Sequence, residues 1–121
     1  MQDVLVCGQG ELKDGDVRII EANGFSIGVY RHQGHYFAYR NLCLHQGGPA
    51  CEGILMPKVV DVIAPDRTLA GQEFDESEMH IVCPWHAWEY KLATGECIGD
   101  PRLRLQRFKI AEREGAVYVT V

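Results

Sequence analysis

Two short stretches of the chain bring a cysteine close to a histidine: Cys43-Leu44-His45 and Cys83-Pro84-Trp85-His86. Each lies inside a run free of Asp, Glu, Lys and Arg, residues 41–51 and residues 79–88, the two longest such runs in the sequence. Loops without formal charge can fold over something that must be kept out of water. Two thiolates and two imidazoles, one of each from each loop, make a four-ligand metal set. Two kinds of centre accept it. Zinc takes Cys₂His₂ in a tetrahedron. A two-iron, two-sulfide cluster takes two cysteines on one iron and two histidines on the other. Common zinc modules pair Cys with Cys and His with His locally, whereas here each loop supplies one of each. Facing loops of that composition can bring both thiols to one iron and both imidazoles to the other. The spacing therefore favours the cluster and leaves zinc open. Gly47 and Gly48 would let backbone N–H groups approach sulfide, and Pro49 and Pro84 stiffen the loops.

The remaining thiols and imidazoles read as structural. The count of five cysteines is odd, so one chain cannot pair them all in disulfides. The start of the sequence has no basic patch and no long apolar run, which points to a cytoplasmic, reducing compartment. Cys7, Cys51 and Cys97 are expected to pack in the interior. His32 and His35 flank a turn and are expected in solvent, and His80 is expected to pack rather than ligate. Trp85 and Trp88 read either as a shield over the metal group or as plain hydrophobic cover.

The elements that must position these loops are strands. Asn23-Gly24, Gln33-Gly34 and Glu114-Gly115 each separate two β-forming runs, and such pairs accept the positive φ of a tight hairpin turn. The flanking runs are residues 17–21, 25–31, 36–40, 108–112 and 117–121. The chain has 121 residues, 46% hydrophobic and 24% charged, which fits one globular all-β domain over residues 1–121. No window approaches the roughly 20 apolar residues of a membrane helix. The net charge of −5 repels phosphate backbones and anionic bilayers, so neither nucleic acid nor membrane is an expected partner. Residues 52–80 concentrate the excess, with seven acids against two bases. That acidic insert, about residues 54–80, reads as a solvated surface loop, with residues 72–80 the best candidate for a short helical turn.

The boxes Cys43-Leu44-His45-Gln46-Gly47-Gly48-Pro49 and Cys83-Pro84-Trp85-His86-Ala87-Trp88 resemble the ligand boxes of Rieske [2Fe–2S] proteins. The continuation through Glu89-Tyr90, Thr94-Gly95-Glu96 and Pro101 is similar to Rieske-type ferredoxins, and the likeness covers about residues 25–121. It implies stacked antiparallel sheets with a small cluster-binding subdomain, whose loops would be about residues 41–53 and 81–90. It implies that Cys43 and Cys83 bind the inner iron, and that His45 and His86 bind the outer iron. Rieske subunits of respiratory complexes carry an extra, disulfide-forming cysteine in each box. Gly48 and Trp85 stand at those positions here, so the likeness is to the ferredoxin or oxygenase type. Ala87 replaces the usual glycine, and the 37 residues between His45 and Cys83 exceed the usual spacer.

The resemblance further implies a soluble one-electron carrier, a component of a dioxygenase-like system. Such a carrier takes electrons from a reductase and passes them to an oxygenase or similar acceptor, with no catalytic residue of its own. The alternative is the small subunit of a nitrite reductase-type complex; a zinc-stabilised interaction module is the remaining reading. Serine and tyrosine donors to the cluster sulfurs have no counterpart in the two boxes, which places the expected potential at the low end of the Rieske range, on the order of −150 mV. Replacing His86 by Ala is expected to abolish the two-iron optical and EPR spectrum; a full spectrum from that variant would remove His86 from the ligand set.

Overall fold

The computed structural model describes residues 2–43, 48–84 and 88–121. Among these, the chain forms nine strands: β1 (Asp3–Gly8), β2 (Val17–Ala22), β3 (Phe25–His32), β4 (His35–Arg40), β5 (Ile54–Ile63), β6 (Leu69–Val82), β7 (Glu89–Lys91), β8 (Arg107–Arg113) and β9 (Ala116–Thr120). A single 3₁₀ turn covers Ala50–Glu52. All named pairings are antiparallel. One sheet runs β1-β9-β8-β4-β3-β2 and the other β5-β6-β7. The all-β architecture expected from the sequence is the one observed.

The three glycine pairs make the turns the sequence predicts. Asn23 and Gly24 have φ of 52° and 81°, Gln33 and Gly34 51° and 79°, and Glu114 and Gly115 52° and 73°. Positive φ at both central positions matches the right-handed twist of the flanking strands. Each turn thereby fixes a register, such as His32 opposite His35 and Arg113 opposite Ala116.

Strands β3 and β4 are the wall between two cores. Alternate residues of a strand point to opposite faces. Ile27, Val29 and Ala38 enter one core with Val6, Cys7, Leu12, Phe108, Val117 and Val119. Tyr30 and Tyr39 enter the other, with Cys43, Ala50, Cys51, Ile81, Cys83, Tyr90, Leu92, Cys97 and Leu105. The second core therefore holds both cysteines of the candidate ligand boxes.

Residues 54–80 correct the sequence reading. They form neither a loop nor a helical turn but most of a long β5–β6 hairpin, paired from Ile54 opposite Val82 out to Ile63 opposite Leu69. The register slips between Pro57 and Lys58, where Met79 and Asp75 are the respective partners. Pro57 lacks a ladder donor and sits on the edge strand at this bulge, the place where a sheet tolerates proline. The acidic residues fooled the reading because solvated strands and solvated helical turns carry similar composition.

Gly53 joins the first loop to this hairpin. A Cβ built there would sit 1.8 Å from the Val82 carbonyl oxygen and 2.9 Å from Pro84 Cδ. Only glycine allows the exit of the first loop to lie against the entry of the second. Gly53→Ala is expected to destabilise the protein by about 2–3 kcal/mol or more, because backbone rather than a movable side chain must yield. A urea midpoint equal to that of the unmodified protein would contradict this packing.

Candidate metal centre

Both loops are closed in the same way. The Cys43 N–H donates to the Gly48 carbonyl at 2.7 Å, and the Cys83 N–H donates to the Trp88 carbonyl at 2.8 Å. Each neck thus joins a cysteine to the residue five positions later. The cysteine stands at the base of its loop with its side chain in the core, 2% exposed for Cys43 and fully buried for Cys83. His45 and His86, the other two expected ligands, lie outside the described residues, as do Gly47, Trp85 and Ala87. The structure thus brings the two thiols into one core.

The first loop is braced by Asn41. Its Oδ1 accepts the Cys51 N–H at 2.8 Å, and its Nδ2 donates to Glu52 Oε2 at 2.9 Å and to Ser26 Oγ at 3.2 Å. One amide therefore ties the entry of the loop to its exit and both to β3. Cys51 packs so tightly on β3 that a Cβ at Gly28 would lie 2.4 Å from its own Cβ. Burial pushes the Cys51 thiol up to about 11. It stays a neutral packing group, as the sequence suggested. Tyr39 is likewise pushed up to about 12 by burial, and its hydroxyl donates to the Leu92 carbonyl, joining β4 to the residue after β7.

The second loop is backed by β7 and the segment after it. Trp88 is half-buried against the core that holds both cysteines. Tyr90, at the centre of β7, is fully buried, and its hydroxyl lies 3.2 Å from Cys43 Sγ. Once that sulfur is a thiolate, the hydroxyl is the only possible donor of the pair. The sequence reading missed this group because it looked for donors inside the boxes, and Tyr90 follows the second box. The necessary signal was the period of two: Tyr90 sits on the core face of its strand, with Leu92 beside it.

The other predicted packing residues divide. Cys7 and Cys97 are buried free thiols. His35 is exposed as expected, whereas His32 is half-buried with its Nε2 out of solvent and without a hydrogen-bond partner among the described residues. His80 is buried, and both of its ring nitrogens are engaged by carboxylates.

Two buried soft donors on twin loops, with a hydroxyl aimed at one sulfur, fit an iron–sulfur group. The described residues contain no helix long and apolar enough to cross a membrane.

Comparison with known proteins agrees with this chemistry. The family described as the Rieske [2Fe-2S] domain matches residues 2–109. The 3-phenylpropionate/cinnamic acid dioxygenase ferredoxin subunit of Photorhabdus laumondii is 25% identical, covering all of this chain and 96% of that protein. The ferredoxin of carbazole 1,9a-dioxygenase from Nocardioides aromaticivorans superposes with a TM-score of 0.70 at 18% identity, covering 99% of this chain and 98% of that one. A chain described as the small subunit of an NADH-dependent nitrite reductase from Mycobacterium tuberculosis gives 0.71 at 17% identity, covering 98% and 93%.

Proposed function

The chain belongs to the Rieske [2Fe–2S] family, whose cofactor is a two-iron, two-sulfide cluster, and we propose that it is a cytoplasmic electron carrier rather than a catalyst. In this reading Cys43 and Cys83 supply the thiolates for one iron, and His45 and His86 supply imidazoles for the other. When bound, the cluster accepts and releases one electron. The chain's own residues keep the sulfur side dry, fix the two loops and set how easily the electron is held. A reductase is the donor and an oxygenase the acceptor. The observation that supports this most is the near end-to-end match to a dioxygenase ferredoxin subunit.

Each group on the page has a part in that task. The two necks hold the cysteines at matching depth. Asn41 and Gly53 keep the first loop against the second. The Tyr90 hydroxyl stabilises negative charge on Cys43 Sγ, which grows when an electron arrives. A donor of this kind favours the reduced state and raises the potential. The expectation of a potential at the low end of the range therefore loses its premise, because a tyrosine donor exists outside the boxes.

Reconstitution tests the carrier role. The loaded protein, mixed with an NADH-dependent ferredoxin reductase and a ring-hydroxylating oxygenase, is expected to take up one electron per chain and to support product formation. Reduction without onward transfer to any oxygenase, coupled with co-purification with a nitrite reductase large subunit, would instead favour the reading as a small subunit of that complex. The likeness of fold to such a subunit is what keeps this second reading in play.

The tyrosine donor gives a separate test. A net hydrogen bond of about 1 kcal/mol corresponds to roughly 45 mV for one electron. Tyr90→Phe is expected to lower the midpoint by about that amount in an EPR-monitored titration, with the two-iron spectrum retained. An unchanged midpoint would show that Cys43 does not carry charge on the cluster.

A further inference from the structure

His80 lies on β6, three residues before Cys83, and its side chain is 6% exposed. Its Nε2 is 2.7 Å from Glu78 Oε2, and its Nδ1 is 2.9 Å from Glu89 Oε2. A neutral imidazole has one donor and one acceptor nitrogen, so it cannot donate to two carboxylates. The doubly protonated ring can. Beside it stand Lys58 and Lys91, whose ammonium nitrogens lie 3.8 Å and 3.9 Å from the Glu78 carboxylate, and Glu96, which lines the same hollow. Glu78 is held below the usual carboxylate range, foremost by the hydrogen bond from His80.

The strand register gives this group its reach. His80 stands opposite Lys91, and Val82 stands opposite Glu89. Glu78, His80, Glu89 and Lys91 thus share one face of the β6–β7 pair, by the alternation of side chains along a strand. The opposite face carries Met79, Ile81, Tyr90 and Leu92 into the core of the two cysteines. Strand β7 is only three residues long and is paired to β6 at three positions. On its other side the Ile98 N–H donates to the Glu89 carbonyl at 2.9 Å and the Lys91 N–H to the Glu96 carbonyl at 2.8 Å, so the backbone holds β7 on both edges and the side-chain tie adds to that hold. Glu89 is at once the partner of His80, the neighbour of the Trp88 carbonyl that closes the second loop, and the neighbour of Tyr90.

We propose that His80 is a positioning residue for the cluster site: with a ring nitrogen on each carboxylate it ties Glu78, before the second loop, to Glu89, after it, and so holds the Tyr90 hydroxyl on Cys43 Sγ. This rests on the ligand assignment above but not on the identity of any electron partner. The tie crosses the mouth of the loop on its polar face, while the hydroxyl it places acts on the other face.

A double-mutant cycle on the reduction potential tests the tie. His80→Leu removes both donors at similar volume, and Glu89→Ala cuts the link to β7 at a side chain that is 43% exposed, where folding is not at stake. The readout is the midpoint of the loaded protein by EPR-monitored titration, alongside its optical spectrum. Tyr90→Phe, Glu89→Ala and His80→Leu are each expected to shift the oxidised-to-reduced ratio at fixed potential toward the oxidised form, roughly threefold or more. In the Tyr90→Phe background, Glu89→Ala is expected to add almost nothing, because its effect passes through the lost hydroxyl. A shift from Tyr90→Phe with none from Glu89→Ala would overturn this inference alone. Additive shifts would overturn it too, since they would mark a direct effect of charge. A silent Tyr90→Phe would overturn the ligand reading and this inference with it. If His80→Leu fails to load a cluster, Glu89→Ala and its double variant decide the matter.

Discussion

The structure depends on two cysteines being held at the same depth in one core by two separate loops. Neither loop could do this alone. Each is closed at its neck by a backbone hydrogen bond, and the position of that neck is set by what it leans on. The first leans on β3 through Asn41 and Cys51. The second leans on β7 and on Gly53 of the first. The wall formed by β3 and β4 is what makes this rigid. It is buried on both faces, so its residues cannot shift toward one core without opening the other.

Much of this architecture was legible in the sequence because it follows from local rules. The glycine pairs specify turns by backbone sterics alone, and the observed positive φ at all three follows from the same rule. The cluster was legible from the likeness of the two boxes to Rieske proteins, whereas the Cys and His spacing alone left zinc open. The long β5–β6 hairpin was not legible. Its strands mix apolar and acidic residues, a proline and two register slips, so no single period of two runs its whole length. Its form is fixed by pairing between residues far apart in sequence, such as Ile54 with Val82. The same limit hid Asn41, Gly28, Gly53 and Tyr90. Each matters through contacts with residues elsewhere in the sequence, and neither composition nor motif signals such contacts.

The placement of Tyr90 shows how this fold separates two demands. Stability asks that buried polar groups be paired and that thiols stay neutral. Cys51 meets that demand: burial keeps it protonated, and its Sγ faces the Tyr39 carbonyl at 3.7 Å. The proposed ligand role asks the opposite of Cys43, whose sulfur would then carry charge in an equally dry place. A charge in a dry site is costly unless a donor meets it. The Tyr90 hydroxyl is such a donor, and it arrives on a strand of three residues.

That strand is held by backbone bonds to β6 on one edge and to Glu96 and Ile98 on the other, and side chains add to this. Where β6 and β7 pair, their two faces therefore divide the labour. The core face supplies the hydroxyl and the apolar cover, and the polar face supplies the ties between strands, with His80 between Glu78 and Glu89 at their centre. Moving the charged groups to the core face would place unpaired ions beside the cluster. Moving Tyr90 to the polar face would take its hydroxyl away from Cys43 Sγ. The period of two along residues 78–82 and 89–91 is thus constrained on both sides at once. A one-residue slip of β7 would exchange the faces, and the backbone bonds at Trp88, Glu89 and Lys91 oppose it.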